Sequence, residues 1–174
     1  QSLGQHTPYL PLIDLLHRCW GIEEDDTVTA AVAKAQQALQ ALQIPYEECG
    51  VHLLRLLGAL RDTSAAEAGP PEELRMQTFA ALHWLFRRCS ERKPLVVVIE
   101  DVHWIDATSK EYLCALASRP TAQRLLLILT LRPGYQLPWQ TQSHYGQLPL
   151  VPLVDEESRV LVRDFVGAMR NKID

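Results

Sequence analysis

Glu100 and Asp101 close an unbroken apolar run, Leu95-Val96-Val97-Val98-Ile99, and Val102-His103-Trp104-Ile105-Asp106 follows at once. Two acids at the end of an apolar strand are the groups a Mg²⁺–nucleotide site requires. One carboxylate holds the metal or its water shell, and the second orients or deprotonates an attacking water. A second apolar run, Leu125 to Leu131, ends in Arg132-Pro133-Gly134. An arginine on a neighbouring strand end has the reach and the planar fork to contact a terminal phosphate through charge-assisted hydrogen bonds. Ligands of parallel sheets gather at the carboxyl ends of the strands, so both tips belong to one candidate site. An apolar run followed by two acids is common by chance, and the arginine-tipped second run is what strengthens it.

Each of these residues also has a plainer role open to it. Glu100 and Asp101 could merely end a strand in solvent, and Arg132 could be a surface arginine beside a Pro-Gly turn. Asp106 opens Asp-Ala-Thr-Ser ahead of a helix, so it is expected as an N-cap that satisfies orphan amides. Such a cap would also fix the loop that presents the acids. His103 with Asp106 and Glu100 does not have the spacing or partner number of a transition-metal site. His103 is expected to hydrogen-bond within the loop, and Trp104 to pack rather than serve as a stacking platform.

The elements that must position these groups can be read along the chain. Leu12, Ile13, Leu15, Leu16 and Cys19 have helical spacing, with Gly21 as a stop. Thr27 leads into a stripe of Val32, Ala35, Leu39 and Leu42, which Pro45 is expected to break. A third helix carries Leu53, Leu54, Leu56, Leu57 and Leu60. Residues 61–71 read as a loop, and Pro71 with Glu72 and Glu73 starts a long amphipathic helix through Cys89. Leu95–Ile99 is continuous and β-branched, as expected of a strand buried on both faces. A helix from about Ala107 to Ala117 follows, then the strand from Leu125 to Leu131. A shorter extended piece is expected at Leu148–Leu153, and a last helix opens at Asp155 bearing Val160, Leu161, Phe165, Val166 and Met169. Leu137-Pro138-Trp139 reads as a loop anchored by one aromatic.

Strand, helix, strand with apolar strands predicts an α/β fold: a parallel sheet with flanking helices and a helix-rich N-terminal half. Only two or three strands are present, so the sheet looks incomplete and its edges open to self-association. The expected organisation is a single partial domain over 1–174, mostly helical over 1–93, with the two functional strands in 94–154 and a C-terminal helix in 155–174.

Bulk properties narrow the class. The chain has 174 residues, 47% hydrophobic and 22% charged, with a net charge of −4. That charge carries no basic footprint for nucleic acid. The tightest basic group, Arg87-Arg88 with Arg92-Lys93, suits the C-terminal end of a helix dipole. Cys19, Cys49, Cys89 and Cys114 have neither disulfide-framework nor zinc spacing, so mostly buried, reduced thiols in a cytoplasmic protein are expected. No apolar run approaches the ~18 residues that span a bilayer.

The segment PLVVVIEDVHWIDATSKEYL resembles the Walker B segment of STAND signalling NTPases within the wider AAA+/P-loop group. Its acid-Asp-x-His-Trp-x-Asp form is similar to the ATPase modules fused to bacterial nucleotide cyclases, LuxR-type transcription regulators and some signalling kinases. LLLILTLRPGY resembles the strand that follows, with the sensor arginine in a Thr-x-Arg-Pro setting. HTPYLPLIDLL and QLPLVPLVDEESRVLV resemble flanking stretches, so the resemblance covers most of the chain, with specificity in the two central motifs.

The resemblance implies a partial P-loop NTPase of the ASCE type. Glu100 matches the Mg²⁺-associated acid (through water), Asp101 the catalytic-type acid and Arg132 the nucleotide-sensing arginine. His103, Trp104 and Asp106 match a signature loop without assigned roles. ATP and Mg²⁺ are the implied ligands, and the remainder of a parent NTPase is the implied partner. No Gly-x-x-x-x-Gly-Lys-Ser/Thr loop occurs among the glycines, and that loop's amides and lysine cradle the phosphates in the family. The expectation is therefore the distal part of an ATP-dependent regulatory switch, inactive by itself. Two alternatives stay open: a non-catalytic interaction module built on an NTPase fold, and an unrelated α/β domain that binds a small ligand.

Overall fold

The computed structural model describes residues 7–59, 69–118 and 124–170, with side chains described to residue 166. His6, Leu60, most of the loop expected at 61–71 and the Met169 side chain lie outside the described residues. By its contacts the chain forms two compact units, Gln1–Gln142 and Ser143–Asp174.

The first unit begins with α1 (Leu10–Trp20), which buries Leu12 and Leu16. It ends where Gly21 takes φ 64° and donates its N–H to the His17 carbonyl, a left-handed cap that glycine adopts without a Cβ penalty. α2 (Val28–Ala41) is capped by the Thr27 hydroxyl, which accepts the Ala30 N–H at 3.2 Å. It stops at Ala41, short of Pro45, where the sequence placed its end. Gln43 turns the chain with φ 55°, so a left-handed residue rather than the proline ends the helix. A π-helical turn (Tyr46–Gly50) runs directly into α3 (Val51–Leu56). Gly50 is required there by close approach, since a Cβ would sit 2.9 Å from Tyr46 Cδ2 and 3.0 Å from Leu39 Cδ1.

α4 (Pro71–Arg92) starts on its proline with Glu72 and Glu73 in the first turn, where acids favour the helix dipole. It buries Ala81, Leu82, Leu85 and Phe86. Phe79 and Phe86 of this helix flank Tyr112 with ring centroids 5.3 and 6.1 Å away, and Tyr9 lies edge-on to Phe79 at 6.2 Å. This aromatic ladder joins the start of α1, the body of α4 and α5 (Ala107–Ser118).

The sheet positions the candidate site. β1 (Leu95–Ile99) and β2 (Leu125–Leu129) pair in parallel, Leu95 opposite Leu125 through Ile99 opposite Leu129. Arg124 sets the entry to β2: its guanidinium donates to the Ser90 and Glu91 carbonyls at the end of α4, at 3.2 and 2.6 Å. The C-terminal carbonyls of α4 thus gain donors that also fix where β2 begins.

Two expectations are corrected here. β1 is not buried on both faces: Val97 and Ile99 are in the core, whereas Val96 and Val98 are 56% and 54% exposed. Leu126 and Ile128 of β2 are bare on the same alternation. Among the described residues the helices cover one face of a two-stranded sheet, and period-two alternation sends every second apolar side chain to the other. Nor are the cysteines mostly buried: all four are unpaired, Cys49 is buried, Cys89 and Cys114 are half-buried, and Cys19 is exposed. Leu137 and Trp139 are buried, anchoring the loop after β2 as expected.

The second unit holds α6 (Asp155–Arg170). Glu157 accepts the Val154 N–H at 3.0 Å, closing the first turn from its own side chain. Leu148–Leu153 forms no strand, correcting the third expected extended piece. Its Leu148, Leu150 and Val151 side chains are exposed, and no strand among the described residues pairs with its backbone. Among the described residues no helix is long and apolar enough to cross a membrane.

Candidate functional site

β1 ends at Ile99, and the two acids follow at its carboxyl end, both exposed. Asp101 adopts φ 55°, ψ 43°, a left-handed conformation that aspartate tolerates better than most residues. The chain thereby folds into a single 3₁₀ turn, Val102–Trp104, closed by the Trp104 N–H donating to the Asp101 carbonyl at 2.8 Å. Val102 is completely buried and anchors the turn.

The tip of β2 holds this turn in place. The Thr130 N–H donates to the Ile99 carbonyl at 3.1 Å, and its own carbonyl accepts the Val102 N–H at 2.9 Å. The Thr130 hydroxyl oxygen accepts the Asp101 N–H at 2.9 Å. Main-chain and side-chain atoms of one residue thus bracket the acid pair, two positions before Arg132. Sequence reasoning had Thr130 only as part of the arginine's setting.

Asp106 ends the loop as the expected N-cap of α5. Its Oδ1 accepts the Ser109 N–H at 2.8 Å, and its carbonyl accepts the Lys110 N–H at 3.0 Å. The same Oδ1 also accepts the Tyr9 N–H at 3.3 Å, tethering the entry to α1. Asp106 is 4% exposed, so these bonds are made in a site where an unpaired carboxylate would be costly. The tether to α1 carried no signal in the sequence.

His103 departs from expectation. Neither ring nitrogen of His103 has a hydrogen-bond partner among the described residues, although the side chain is only 9% exposed. The nearest acid is Asp101, its Oδ1 3.8 Å from Nδ1, beyond hydrogen-bond range. The ring is held by packing instead, tilted against Trp104 at 5.1 Å and edge-on to Tyr135 at 6.4 Å. Trp104 is not a core residue but 42% exposed, and the Arg132 guanidinium lies over it at 5.4 Å. Lys110 sits over the Tyr135 ring at 5.0 Å. A row of three rings with a cation at each end, Arg132–Trp104–His103–Tyr135–Lys110, therefore joins the tip of β2 to the loop that carries the acids.

The acids also face α1. A cleft of about 450 Å³ is lined by Glu100, Asp101, Trp104 and Val98 on one side and by Asp14 and Arg18 of α1 on the other. Asp14 and Arg18 lie one turn apart on the polar side of an amphipathic helix, and only the packing of α1 brings them here. Among the described residues no lysine or arginine pairs with Glu100 or Asp101, and no cluster of three or more acids, histidines and cysteines could hold a metal by itself. Two exposed, cation-free carboxylates do fit Mg²⁺, which keeps most of its waters and is bound through one or two carboxylates together with substrate phosphates.

Residues 1–128 match the family described as AAA ATPase domain. The matched span includes both acids, the signature loop and nearly all of β2, and stops before Arg132. An uncharacterized protein of Rhizobium meliloti (strain 1021) is 34% identical over 93 residues, covering 53% of this chain and 9% of the relative. The chain thus spans about a tenth of the length of that relative. No solved structure matches the chain.

Proposed function

We infer the function from one premise: the chain belongs to the AAA ATPase domain family. The reading is that Glu100, Asp101 and Arg132 form the hydrolytic side of an ATP site. Glu100 is the Walker B acid that would hold Mg²⁺ through its water shell, Asp101 orients the attacking water, and Arg132 senses the terminal phosphate. The observation that carries it is the bracket made by Thr130, which fixes the acid pair beside the strand tip that ends in Arg132.

In hydrolysis the water oxygen bonds to the terminal phosphorus as the bridging P–O bond breaks and its electron pair leaves on ADP. Asp101 aligns that water and accepts its proton. Mg²⁺, when bound, neutralises charge on the phosphate oxygens. Arg132, parked over Trp104, has its guanidinium on an exposed ring and is free to exchange that contact for a phosphate. The phosphate-cradling amides and lysine come from a segment other than these 174 residues, which contain no such loop. Coupling of hydrolysis to an output domain, as in signalling NTPases, completes the proposal.

The test is Mg-ATP hydrolysis by the complete natural polypeptide. Glu100→Gln and Asp101→Asn should each lower kcat by about a hundredfold or more. Arg132→Ala should lower it at least about tenfold while leaving stability within roughly 0.5 kcal/mol, since the side chain is exposed. Unchanged turnover in both acid variants would reject the reading. A non-catalytic interaction module is the second reading, favoured by the bare sheet face at Val96, Val98, Leu126 and Ile128. It predicts no Mg-ATP turnover for any of the three substitutions to lower.

A further inference from the structure

We infer that His103 is a positioning residue for Asp101, its Nδ1–H holding the carboxylate in the orientation the attacking water requires. The inference deepens the function proposed above and rests on it. Three observations lead to it.

The His103 ring is rigid where Asp101 is not. The imidazole is nine-tenths buried between Trp104 and Tyr135, whereas the Asp101 side chain is 73% exposed. A carboxylate so exposed samples several rotamers, and an orienting group must occupy one of them. The backbone of Asp101 is already fixed by Thr130, so only its side-chain torsions remain free.

Both imidazole nitrogens are unpartnered among the described residues, and a buried polar group without a partner is a feature that calls for an explanation. Asp101 Oδ1 is 3.8 Å from Nδ1, so a rotation of the exposed carboxylate that closes the gap by roughly 1 Å makes a hydrogen bond. The bond would satisfy the Nδ1 of His103 and select one Asp101 rotamer together.

The ring row supplies the third observation. Arg132 lies over Trp104, which packs at a tilt against His103, so the residue that orients Asp101 is in contact with the residue under the sensing arginine. A phosphate that draws Arg132 off Trp104 changes the packing around the imidazole. The order Asp101, His103, Trp104, Arg132 is a continuous physical path between the two strand tips.

The test separates geometry from packing in the complete natural polypeptide. His103→Phe keeps a ring between Trp104 and Tyr135 but removes the donor. His103→Asn places an amide N–H near Nδ1, and His103→Gln places it near Nε2. The inference expects His103→Phe and His103→Gln to lose about tenfold to a hundredfold in kcat with little change in KM for ATP, and His103→Asn to recover at least about fivefold of that loss. Equal rates in all three variants, or rescue by Gln and not Asn, would overturn it.

Should His103→Phe fail to fold, ¹⁵N spectra of histidine-labelled wild type and Asp101→Ala decide the matter. A pyrrole-type Nδ1 in the wild type that shifts on Asp101→Ala, which removes the acceptor oxygen, supports the bond, and an unchanged tautomer signature overturns it. Full activity of Asp101→Asn would reject the proposed function and the positioning role with it. Loss of activity in Asp101→Asn with full activity in His103→Phe would reject the positioning role alone.

Discussion

The Thr130 hydroxyl oxygen accepts the backbone N–H of Asp101 at 2.9 Å, joining the tip of β2 to the residue at which the chain leaves β1 in a left-handed turn. Parallel pairing alone would bring the two tips near each other. It would not fix the conformation of Asp101, because the ladder ends at Ile99 and Leu129. The side chain of Thr130 extends the bracket past the sheet and holds the acid in a conformation few residues prefer.

Thr130→Val keeps the shape of the side chain but leaves the Asp101 amide without its acceptor. The expected cost is about 0.5–1.5 kcal/mol, read as a lower urea midpoint, with Thr130→Ser close to wild type. The function reading adds that Thr130→Val lowers ATP turnover more than Ser does. Equal midpoints for Val and Ser would show that water replaces the bond at no cost.

Asp106→Ala removes the cap of α5 and the tether of Tyr9 together. A lost cap costs about 1–2 kcal/mol, and Asp106→Asn, which keeps an acceptor oxygen, should lose distinctly less. Amide exchange should quicken at both Ser109 and Tyr9 in the alanine variant. Faster exchange at Ser109 alone would mean that the long-range tether is inert.

Tyr112 is 2% exposed, and its hydroxyl has no hydrogen-bond partner among the described residues. Burial pushes the phenol well above its ordinary pKa, because the charged form would be stranded among Phe79, Phe86 and their neighbours. Tyr112→Phe removes an unsatisfied polar group and keeps the ring, so stability should rise by up to about 1–3 kcal/mol. A lower thermal midpoint would contradict this and reveal a partner for the hydroxyl.

Asp26 carries the pH prediction. The Lys34 ammonium donates to its carboxylate at 2.6 Å and the Glu23 N–H at 2.8 Å, and these two bonds hold its pKa below the usual carboxylate range. A depressed folded-state value contributes stability that is fully present above the unfolded value, about 3.9, and is lost as pH falls through the folded value. Denaturant midpoints of wild type and Asp26→Asn should therefore differ at pH 6 and converge below about pH 4. Parallel curves across that window would remove Asp26 from the acid-sensitive groups.

Much of the framework was legible because local chemistry specifies it. The spacing of Leu12 and Leu16 with Gly21 marks α1, and Pro71 followed by two glutamates marks the start of α4. The β-branched run before Glu100 gives β1 to the residue. Asp106 was readable as a cap because capping involves neighbours three and four positions along. Where the reading failed, the deciding partner was distant or missing. Leu148–Leu153 has strand-like residues but no pairing strand among the described residues, and β1 has a buried-strand composition with one face bare. Trp104 was assigned to packing, and only the fold supplied the partners, the Arg132 guanidinium and a buried imidazole.

The sequence by itself determined which groups stand at the ends of the two strands, because strand period and the acids after Ile99 are properties of contiguous residues. Only the tertiary structure decided how those groups are held. Thr130 lies 29 residues from Asp101, and Tyr9 lies 97 from Asp106. Their hydrogen bonds form only when the crossover through α5 and the packing of α1 have brought those backbones together, and no local propensity encodes such an encounter. The burial of the His103 ring is of the same kind, since the rings on either side of it come from Trp104 next door and Tyr135 beyond the end of β2.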